Sequence, residues 1–330
     1  MPPFRIVITD FSLPLTEIET AELEASGLRY ELVQLNAKTA EELLPHMAEA
    51  DALLVQWTPV TRPVIEALTK CRVISRYGIG VDMIDLEAAA DHGIPVCNVP
   101  DYCIDEVSTH TLAFVLALDR HLLAHHQHVQ GGPWGGAPGG APLRLAGQTL
   151  GLVGLGRIGQ AVARKAAGLG LKVMAFDPYL PADRAAALGV EGVSLADLLR
   201  RADYVSIHCP LTAETRHLIG AAELAQMKPS AYLINMARGP VVDQPALVAA
   251  LTNGTLAGAA VDVLEKEPPA ADEPLLRLPN LLVTPHTSSW SAESLVQLRQ
   301  GVVQNVIRVL KGEPPRAVVN PRVLGNLRQK

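Results

Sequence analysis

The sequence is poor in the residues that mark several large classes of protein. Only 4% of its 330 residues are aromatic, and it has 4 cysteines. The cysteines form no CxxC pair, so we predict neither a disulfide framework nor a cysteine metal site. The 28 lysines and arginines are scattered and the net charge is −6, which disfavours a nucleic-acid-binding protein.

Long apolar segments are also missing. No stretch approaches the roughly 18 apolar residues of a membrane-spanning helix. The first residues, MPPFRIVITD, lack the basic segment and the long apolar run of a signal peptide. We therefore expect a cytoplasmic protein with reduced cysteines and no membrane partner. The chain is 48% hydrophobic, and its 330 residues suffice for two packed domains.

Two series of short β-rich segments alternate with Ala/Leu-rich helical segments. The first series predicts strands at 4–10, 30–36, 50–57, 71–80 and 94–99. The second series predicts strands at 149–156, 172–177, 203–209, 231–238, 257–264 and 280–286. Strands separated by helices at this spacing predict βαβ units with parallel sheets, and therefore an α/β fold.

Three further segments connect or follow these series. Residues 105–123 are predicted to form one long apolar helix. The segment GGPWGGAPGGAP (131–142) contains six Gly and three Pro, so it cannot continue a helix and is predicted as a connecting loop. Residues 291–312 are predicted to form the last helix.

Residues 154–159 read GLGRIG and fit the GxGxxG pattern of a dinucleotide-binding loop. They follow an apolar strand and open an Ala-rich helix, and Asp177 ends the next strand 18 residues later. Gly154 permits the tight turn, Gly156 a close approach of the pyrophosphate, and Gly159 close helix packing. Asp177 can accept hydrogen bonds from both ribose hydroxyls and would repel a 2′-phosphate. No arginine follows it directly, so NAD is favoured over NADP.

Three polar side chains follow strands of the second series. Arg238 ends one strand, Glu267 follows another and His286 ends a third. The planar fork of an arginine suits a carboxylate, and a histidine, with an ordinary pKa of about 6.5, can give or take a proton. A carboxylate beside the histidine would orient its ring and favour the protonated form. The three predict hydride transfer on a carboxylate-bearing substrate, with a structural histidine and a surface arginine as the ordinary alternative.

Five motifs occur in the order GLGRIG, HCPLT (208–212), NMARG (235–239), DVLEKEP (262–268) and TPH (284–286). Together they resemble the motifs of the D-isomer-specific 2-hydroxyacid dehydrogenase family. The resemblance extends from RYGIGVDMID (76–85) to the last helix. Within the family, NVPDYCIDEVSTHTLA (98–113) and FDPYL resemble the branch of the C-terminal-binding protein corepressors and their bacterial enzyme relatives.

The resemblance implies two doubly wound parallel-sheet domains in an α/β fold. Residues 101–286 would form a Rossmann NAD-binding domain. Residues 1–100 and 287–330 would form a discontinuous, flavodoxin-like substrate domain. The substrate would lie in the cleft, and closure of the domains would expel water. The resemblance also implies a homodimer.

The resemblance assigns a role to each candidate catalytic residue. Arg238 would bind the substrate, His286 would be the acid and base, and Glu267 would support the histidine. The substrate carboxylate would face the backbone N–H groups of a loop formed by Tyr77, Gly78, Ile79 and Gly80.

The remaining implied contacts line the NAD cofactor. They are made by Gly154, Gly156, Arg157, Ile158, Gly159, Asp177, His208, Cys209, Pro210, Thr215, Met236, Ala237, Asp262 and Ser288. Asp262 would contact the carboxamide of the nicotinamide. Two positions depart from the family pattern: Met83 stands where the substrate loop usually has Asn, and Ser289 stands where the corepressor branch has Trp. The resemblance therefore does not imply the preference of that branch for bulky keto acids.

The main prediction is an NAD-dependent D-2-hydroxyacid dehydrogenase acting on a small 2-keto or 2-hydroxy acid. Glyoxylate or hydroxypyruvate reductase and phosphoglycerate dehydrogenase are alternatives within the family. A phosphorylated substrate would need a further basic residue, for which Arg76 is the candidate in the loop. An NAD-sensing, corepressor-like binding module is the alternative of another class.

Two further features are given structural interpretations. His121, His125, His126 and His128 cluster near the end of the predicted long helix, but no carboxylate stands as in HExxH, so we predict no metal. Trp134 is predicted to anchor the Gly/Pro-rich loop, with contact to a partner subunit or to the active site as the alternative.

Overall fold

A computed structural model describes residues 2–11, 16–136 and 138–325 of the chain, without the side chain of residue 182. The chain divides into two compact units. Unit 1 comprises Met1–Tyr102 and Ser291–Lys330, and unit 2 comprises Cys103–Trp290. The division into a substrate domain and an NAD domain at 100–101 and 286–287 stays a prediction, because it concerns what each unit binds. Position 137, inside the predicted Gly/Pro-rich loop, lies outside the described residues.

Unit 1 contains a five-stranded parallel sheet. Its strands are β1 (Phe4–Ile8), β2 (Tyr30–Gln34), β3 (Ala52–Val55), β4 (Val73–Arg76) and β5 (Val96–Cys97), in the order β2-β1-β3-β4-β5. Its first four helices are α1 (Glu17–Ser26), α2 (Ala40–Met47), α3 (Arg62–Glu66) and α4 (Leu86–Asp91). Every residue of β3 and β4 is buried, as expected for central parallel strands covered on both faces.

Unit 2 contains a seven-stranded parallel sheet. Its strands are β6 (Thr149–Val153), β7 (Lys172–Phe176), β8 (Glu191–Gly192), β9 (Tyr204–Ile207), β10 (Tyr232–Asn235), β11 (Gly258–Val261) and β12 (Leu281–Val283). Their order is β12-β11-β10-β9-β6-β7-β8. The helices are α5 (Ile104–Asp119), α6 (Leu122–Gln130), α7 (Arg157–Gly168), α8 (Ala182–Ala187), α9 (Leu195–Arg201), α10 (Ala221–Leu224) and α11 (Gln244–Thr252). The chain then returns to unit 1 as α12 (Ala292–Leu310).

The predicted α/β class with two parallel sheets is confirmed. In each sheet the strand order reverses once, between β1 and β3 in unit 1 and between β6 and β9 in unit 2. Ligands of such sheets bind beyond the carboxyl ends of the strands at this reversal. Among the described helices, none has both the length and the hydropathy needed to cross a membrane.

The prediction of one helix over 105–123 is wrong. α5 ends at Asp119, and His121 adopts a left-handed conformation (φ 49°) before α6 begins. The physical reason lies in the apolar pattern. α5 has buried positions up to its last turn, whereas none of the residues of α6 is buried. The packing that favours a straight helix therefore ends where the helix breaks.

Candidate active site

The three glycines after β6 have three different environments. Gly154 has a φ of 98°, and a Cβ there would lie 2.8 Å from the backbone nitrogen of Cys209. At Gly159 a Cβ would lie 2.5 Å from the carbonyl oxygen of Gly154. Gly156 is the N-cap of α7, and a Cβ there would have no described atom within 4 Å. Two glycines therefore close the turn, and the third leaves the helix N-terminus open to an anion.

Asp177, directly after β7, braces this turn. Its Oδ2 accepts a hydrogen bond from the Leu155 N–H at 2.9 Å, and its Oδ1 accepts one from the Tyr179 N–H at 3.0 Å. A carboxylate has about four lone-pair sites. Asp177 can therefore hold the glycine turn and still accept hydrogen bonds from ribose hydroxyls.

The segment after β9 approaches the same turn. Burial lowers the pKa of His208 to about 4, so this imidazole is neutral at pH 7. Its Nε2 lies 2.9 Å from Ser206 Oγ, and its Nδ1 is buried with no partner among the described residues. Burial raises the pKa of the Cys209 thiol to about 11, which excludes it as a nucleophile at neutral pH. The Thr215 hydroxyl donates to the Pro210 carbonyl at 2.6 Å and so shapes the loop.

These residues fit a dinucleotide. The open N-terminus of α7 suits a pyrophosphate, Asp177 suits a ribose, and the buried Nδ1 of His208 is a polar atom with no described partner. Arg157 and Ile158 form the first turn of α7, beside the open Gly156.

The turn after β10 carries Arg238. Asn235 shapes this turn, since its Oδ1 accepts from the Ala237 N–H at 3.1 Å and its Nδ2 donates to the Arg238 carbonyl at 2.9 Å. Met236, the residue before Ala237, is buried. A Cβ at Gly239 would lie 1.9 Å from the backbone carbon of Leu264. The arginine turn therefore packs against the start of the segment that carries Glu267.

Glu267 and His286 form a hydrogen-bonded pair. His286 Nδ1 lies 2.6 Å from Glu267 Oε2, and the Leu264 N–H donates to Glu267 Oε1 at 2.8 Å. Burial raises the pKa of Glu267, but the hydrogen bond and charge of His286, the Leu264 N–H and the charge of Arg238 outweigh it, so the pKa lies below its usual value. Glu267 is therefore ionised at neutral pH and accepts a proton-bearing Nδ1.

Asp262 fixes the loop that presents the histidine. His286 has a φ of 55°, an unfavourable conformation for a non-glycine residue. Its N–H donates to the Asp262 carbonyl at 2.9 Å. The buried Asp262 carboxylate accepts from the Thr287 N–H at 2.9 Å, the Ser288 N–H at 3.0 Å and the Thr284 hydroxyl at 2.5 Å. These bonds show that Asp262 supports the loop that carries His286. The predicted contact of Asp262 with the nicotinamide stays a prediction.

His110 extends this network and was not found by sequence reasoning. Its Nε2 lies 3.2 Å from the Thr284 hydroxyl oxygen. That hydroxyl has one hydrogen, which it donates to Asp262 because a carboxylate can only accept. His110 Nε2 must therefore carry the proton and donate to Thr284. The only sequence signal was a lone histidine on the apolar face of α5.

The predicted carboxylate-binding loop lies in unit 1, after β4. The Gly78 carbonyl accepts from the Val99 N–H at 3.1 Å, and the Ile79 carbonyl accepts from Asn98 Nδ2 at 2.7 Å. The N–H groups of Ile79 and Gly80 have no acceptor among the described residues. These donors suit an anion. The side chain of Tyr77 is buried and donates to Glu19 at 3.2 Å, and its N–H donates to the Val55 carbonyl at 2.8 Å, so both donors of Tyr77 are used within unit 1.

The structure thus brings together, within unit 2, the predicted cofactor residues at one strand edge and the predicted catalytic residues on the neighbouring turns. The predicted loop Tyr77–Gly80 is formed in unit 1. Among the described residues no group of three metal-ligating side chains could hold a metal ion, and the four clustered histidines are no exception.

Comparison with known proteins agrees with this geometry. Residues 112–288 match the NAD-binding domain of D-isomer-specific 2-hydroxyacid dehydrogenases. A D-3-phosphoglycerate dehydrogenase of Methanocaldococcus jannaschii is 41% identical over 96% of this chain and 59% of its own length. A glyoxylate reductase of Korarchaeum cryptofilum is 39% identical over 86% of each chain.

A solved structure extends the likeness to the whole chain. The NADPH-dependent glyoxylate/hydroxypyruvate reductase of Sinorhizobium meliloti, in complex with NADP and malonate, has a TM-score of 0.87 and 30% identity. The match covers 100% of this chain and 99% of that one. The chain belongs to the D-isomer-specific 2-hydroxyacid dehydrogenase family, which confirms the predicted resemblance. It spans 59% of the length of the M. jannaschii relative.

Proposed function

We propose that the protein is an NAD-dependent D-2-hydroxyacid dehydrogenase that interconverts a small 2-keto acid and its D-2-hydroxy acid. The observation that carries the proposal is the His286–Glu267 pair at 2.6 Å, with Arg238 close enough for its charge to act on the glutamate. Membership of the family and relatives named as glyoxylate reductase and phosphoglycerate dehydrogenase support it.

In the proposed mechanism unit 2 moves the proton. Ionised Glu267 accepts a hydrogen bond from the N–H at Nδ1 of His286 and so fixes the orientation of the ring. Nε2 gives its proton to the carbonyl oxygen during reduction and takes the hydroxyl proton during oxidation. A bound nicotinamide supplies or accepts the hydride at the substrate carbon. Arg238 pairs with the substrate carboxylate through its planar fork.

We assign the dinucleotide to unit 2, and we assign substrate binding to Arg238 and to the loop Tyr77–Gly80 of unit 1. The support in unit 1 is the loop Tyr77–Gly80, where two N–H donors are left for an anion while the carbonyl groups of Gly78 and Ile79 are already bonded. A bound carboxylate would satisfy these donors with charge-assisted hydrogen bonds.

We propose NAD as the preferred cofactor on the basis of Asp177. Its carboxylate is fixed by two N–H donors at the place where the ribose lies in this fold, and it would repel a 2′-phosphate. Replacing it, Asp177→Ser, should lower the ratio of kcat/KM for NADH to that for NADPH by about 10-fold or more, since the repulsion of a nearby like charge is removed. An unchanged ratio would contradict the role of Asp177.

Assembly and location are also proposals. We propose a homodimer, because unit 2 exposes apolar side chains on and after α6: Leu122 is 55% exposed and Leu143 67% exposed. Light scattering coupled to size exclusion tests this. We propose a cytoplasmic location on the grounds that all four cysteines are free thiols.

The experiment that tests the proposed function is NADH oxidation by the purified protein across a panel of 2-keto acids, repeated with NADPH. We expect reduction of at least one acid with a preference for NADH. Tight NADH binding without turnover of any acid would contradict the proposal and favour an NAD-sensing binding module.

A further inference from the structure

Trp57 stands where the strand order of the unit 1 sheet reverses. β1 and β3 are neighbours there, and Trp57 comes two residues after β3 ends at Val55. A large aromatic side chain at this edge is conspicuous, because the chain has 3 tryptophans and Trp57 is 43% exposed. The carboxyl edge at a reversal is where an open α/β sheet binds its ligand.

Asp10 holds the backbone of this tryptophan in place. Its Oδ2 accepts from the Trp57 N–H at 2.7 Å, and its Oδ1 accepts from the Gln56 N–H at 3.2 Å. Asp10 itself is bonded by the Thr9 hydroxyl at 2.7 Å. The hydrogen bonds of Asp10 therefore fix the backbone of Trp57 at the edge of the sheet.

Arg76 links the tryptophan to the carboxylate-binding loop. Its guanidinium carbon lies 5.2 Å from the centre of the indole ring. Its Nη1 donates to the Tyr77 carbonyl, and it lies 1.3 Å from where a Cβ of Gly78 would stand. The guanidinium is thus layered between Gly78 and the ring of Trp57. The indole therefore lies beside the loop whose Ile79 and Gly80 N–H groups suit a carboxylate.

The same layering excludes Arg76 as a partner for a second anion. The residue is 4% exposed, so its N–H groups are covered by the glycine and the indole and cannot hydrogen-bond a ligand at this edge. The nearest anchor of the tryptophan is the carboxylate of Asp10, which would repel a phosphate ester. The edge therefore offers an incoming side chain an aromatic surface, with the charges of Asp10 and of the covered Arg76 close to it.

We propose that Trp57 forms the subsite for the substrate side chain, and that this subsite selects 2-keto acids whose C3 carries an apolar or aromatic group over phosphorylated ones. The inference rests on the proposed function, because a 2-keto acid must first be held by its carboxylate on the loop Tyr77–Gly80. Stacking and apolar contact on an indole favour planar and branched side chains. A phosphate would leave its charge unpaired there.

Steady-state reduction by NADH tests the subsite with phenylpyruvate, glyoxylate and 3-phosphohydroxypyruvate. The wild type should have its highest kcat/KM with phenylpyruvate and its lowest with the phosphorylated acid. Trp57→Ala should lower the ratio of kcat/KM for phenylpyruvate to that for glyoxylate by about 10- to 100-fold, mainly through KM, as expected for a lost apolar contact. Trp57→Phe, which keeps an aromatic ring, should retain most of the ratio.

Two results would overturn the inference. One is a wild type that prefers 3-phosphohydroxypyruvate. The other is a Trp57→Ala variant that loses activity equally with phenylpyruvate and glyoxylate, as a purely structural residue would.

A binding measurement separates this inference from the proposed function. Calorimetric titration of the NADH-loaded protein with D-phenyllactate and with glycolate needs no turnover. Tighter binding of phenyllactate that is lost in Trp57→Ala supports the subsite even where no acid is reduced, in which case the proposed function alone fails. Equal affinity of the wild type for both acids overturns the subsite.

Discussion

The segment after β11 takes part in two histidine–glutamate pairs, and they differ in what surrounds them. His286 Nδ1 lies 2.6 Å from Glu267, and His217 Nε2 lies 2.7 Å from Glu265. Both histidines have a positive φ, 55° and 52°. By distance and backbone conformation alone the two pairs are equivalent.

The environments separate them. The side chain of His286 is 22% exposed and that of His217 is 47% exposed. The first pair has Arg238 within electrostatic reach and a loop fixed by Asp262, whereas Glu265 is bonded to the backbone N–H and side chain of Gln244. In the second pair it is Nε2 of His217, the outer nitrogen of the ring, that contacts Glu265. In the proposed mechanism, proton transfer is therefore assigned to the pair beside Arg238 and not to the more exposed pair.

The largest expected difference is between the histidines themselves. His286→Ala should lower kcat for keto acid reduction by about 10²- to 10⁴-fold, the usual worth of a general acid. His217→Ala is the matched control and should change kcat by less than about 2-fold, since an exposed pair carries little energy. Stopped-flow NADH oxidation measures both, and fluorescence titration checks that each variant still binds NADH. Equal losses of kcat in the two variants would contradict the assignment of proton transfer to His286 alone.

The glutamates give the next effect. Glu267→Gln removes the carboxylate that orients the ring of His286, so reduction should slow by about 10- to 100-fold. Glu265→Gln should leave kcat within about 2-fold of the wild type. A larger loss in Glu265→Gln than in Glu267→Gln would show that the roles of the pairs are reversed.

Glu267 also predicts a dependence of stability on pH. Because its pKa in the folded protein lies below the usual value, its contribution is present at neutral pH and is lost as the pH falls through the lowered pKa. Glu267→Gln should therefore flatten the fall in Tm below about pH 4.3, the ordinary pKa of a glutamate. Differential scanning calorimetry of the two proteins measures this, and curves of identical slope would contradict it.

The smallest expected effect concerns the residues that hold each pair. Thr284→Val removes the hydroxyl between His110 and Asp262, which should lower kcat by about 3- to 10-fold, the usual contribution of one hydrogen bond. The KM for NADH should stay within about 2-fold of the wild type, because neither Thr284 nor His110 is among the predicted cofactor contacts. Gln244→Ala, beside Glu265, is the control. A larger effect of Gln244→Ala would mean that the second pair supports the active site.

The sequence predicted the parts that follow from local pattern. Strand centres, the glycine turn and the polar residues at strand ends depend on periodicity and on a few residue types, and the structure places them at the expected edges. The two-residue strand β8 was missed, because Glu191–Gly192 has no apolar alternation to read. The break at His121 was missed because the loss of packing beyond α5 is a tertiary effect.

The contacts within the site were harder to predict, since they join distant segments. The bond from His110 to Thr284 spans 174 positions and that from His217 to Glu265 spans 48. Nothing local marks either histidine. The layering of Arg76 between Gly78 and Trp57 likewise depends on the pairing of β3 with β4. Because of this pairing, the side chain of Arg76, the residue that the sequence offered as a phosphate ligand, is buried.

The most direct test of the central claim is the configuration of the product. The purified protein, given NADH and a prochiral 2-keto acid such as phenylpyruvate, should release the D-2-hydroxy acid, which chiral chromatography resolves from its mirror image. His286→Ala should abolish its formation, and His217→Ala should not. Formation of the L acid, or of D product at an undiminished rate in His286→Ala, would contradict the account.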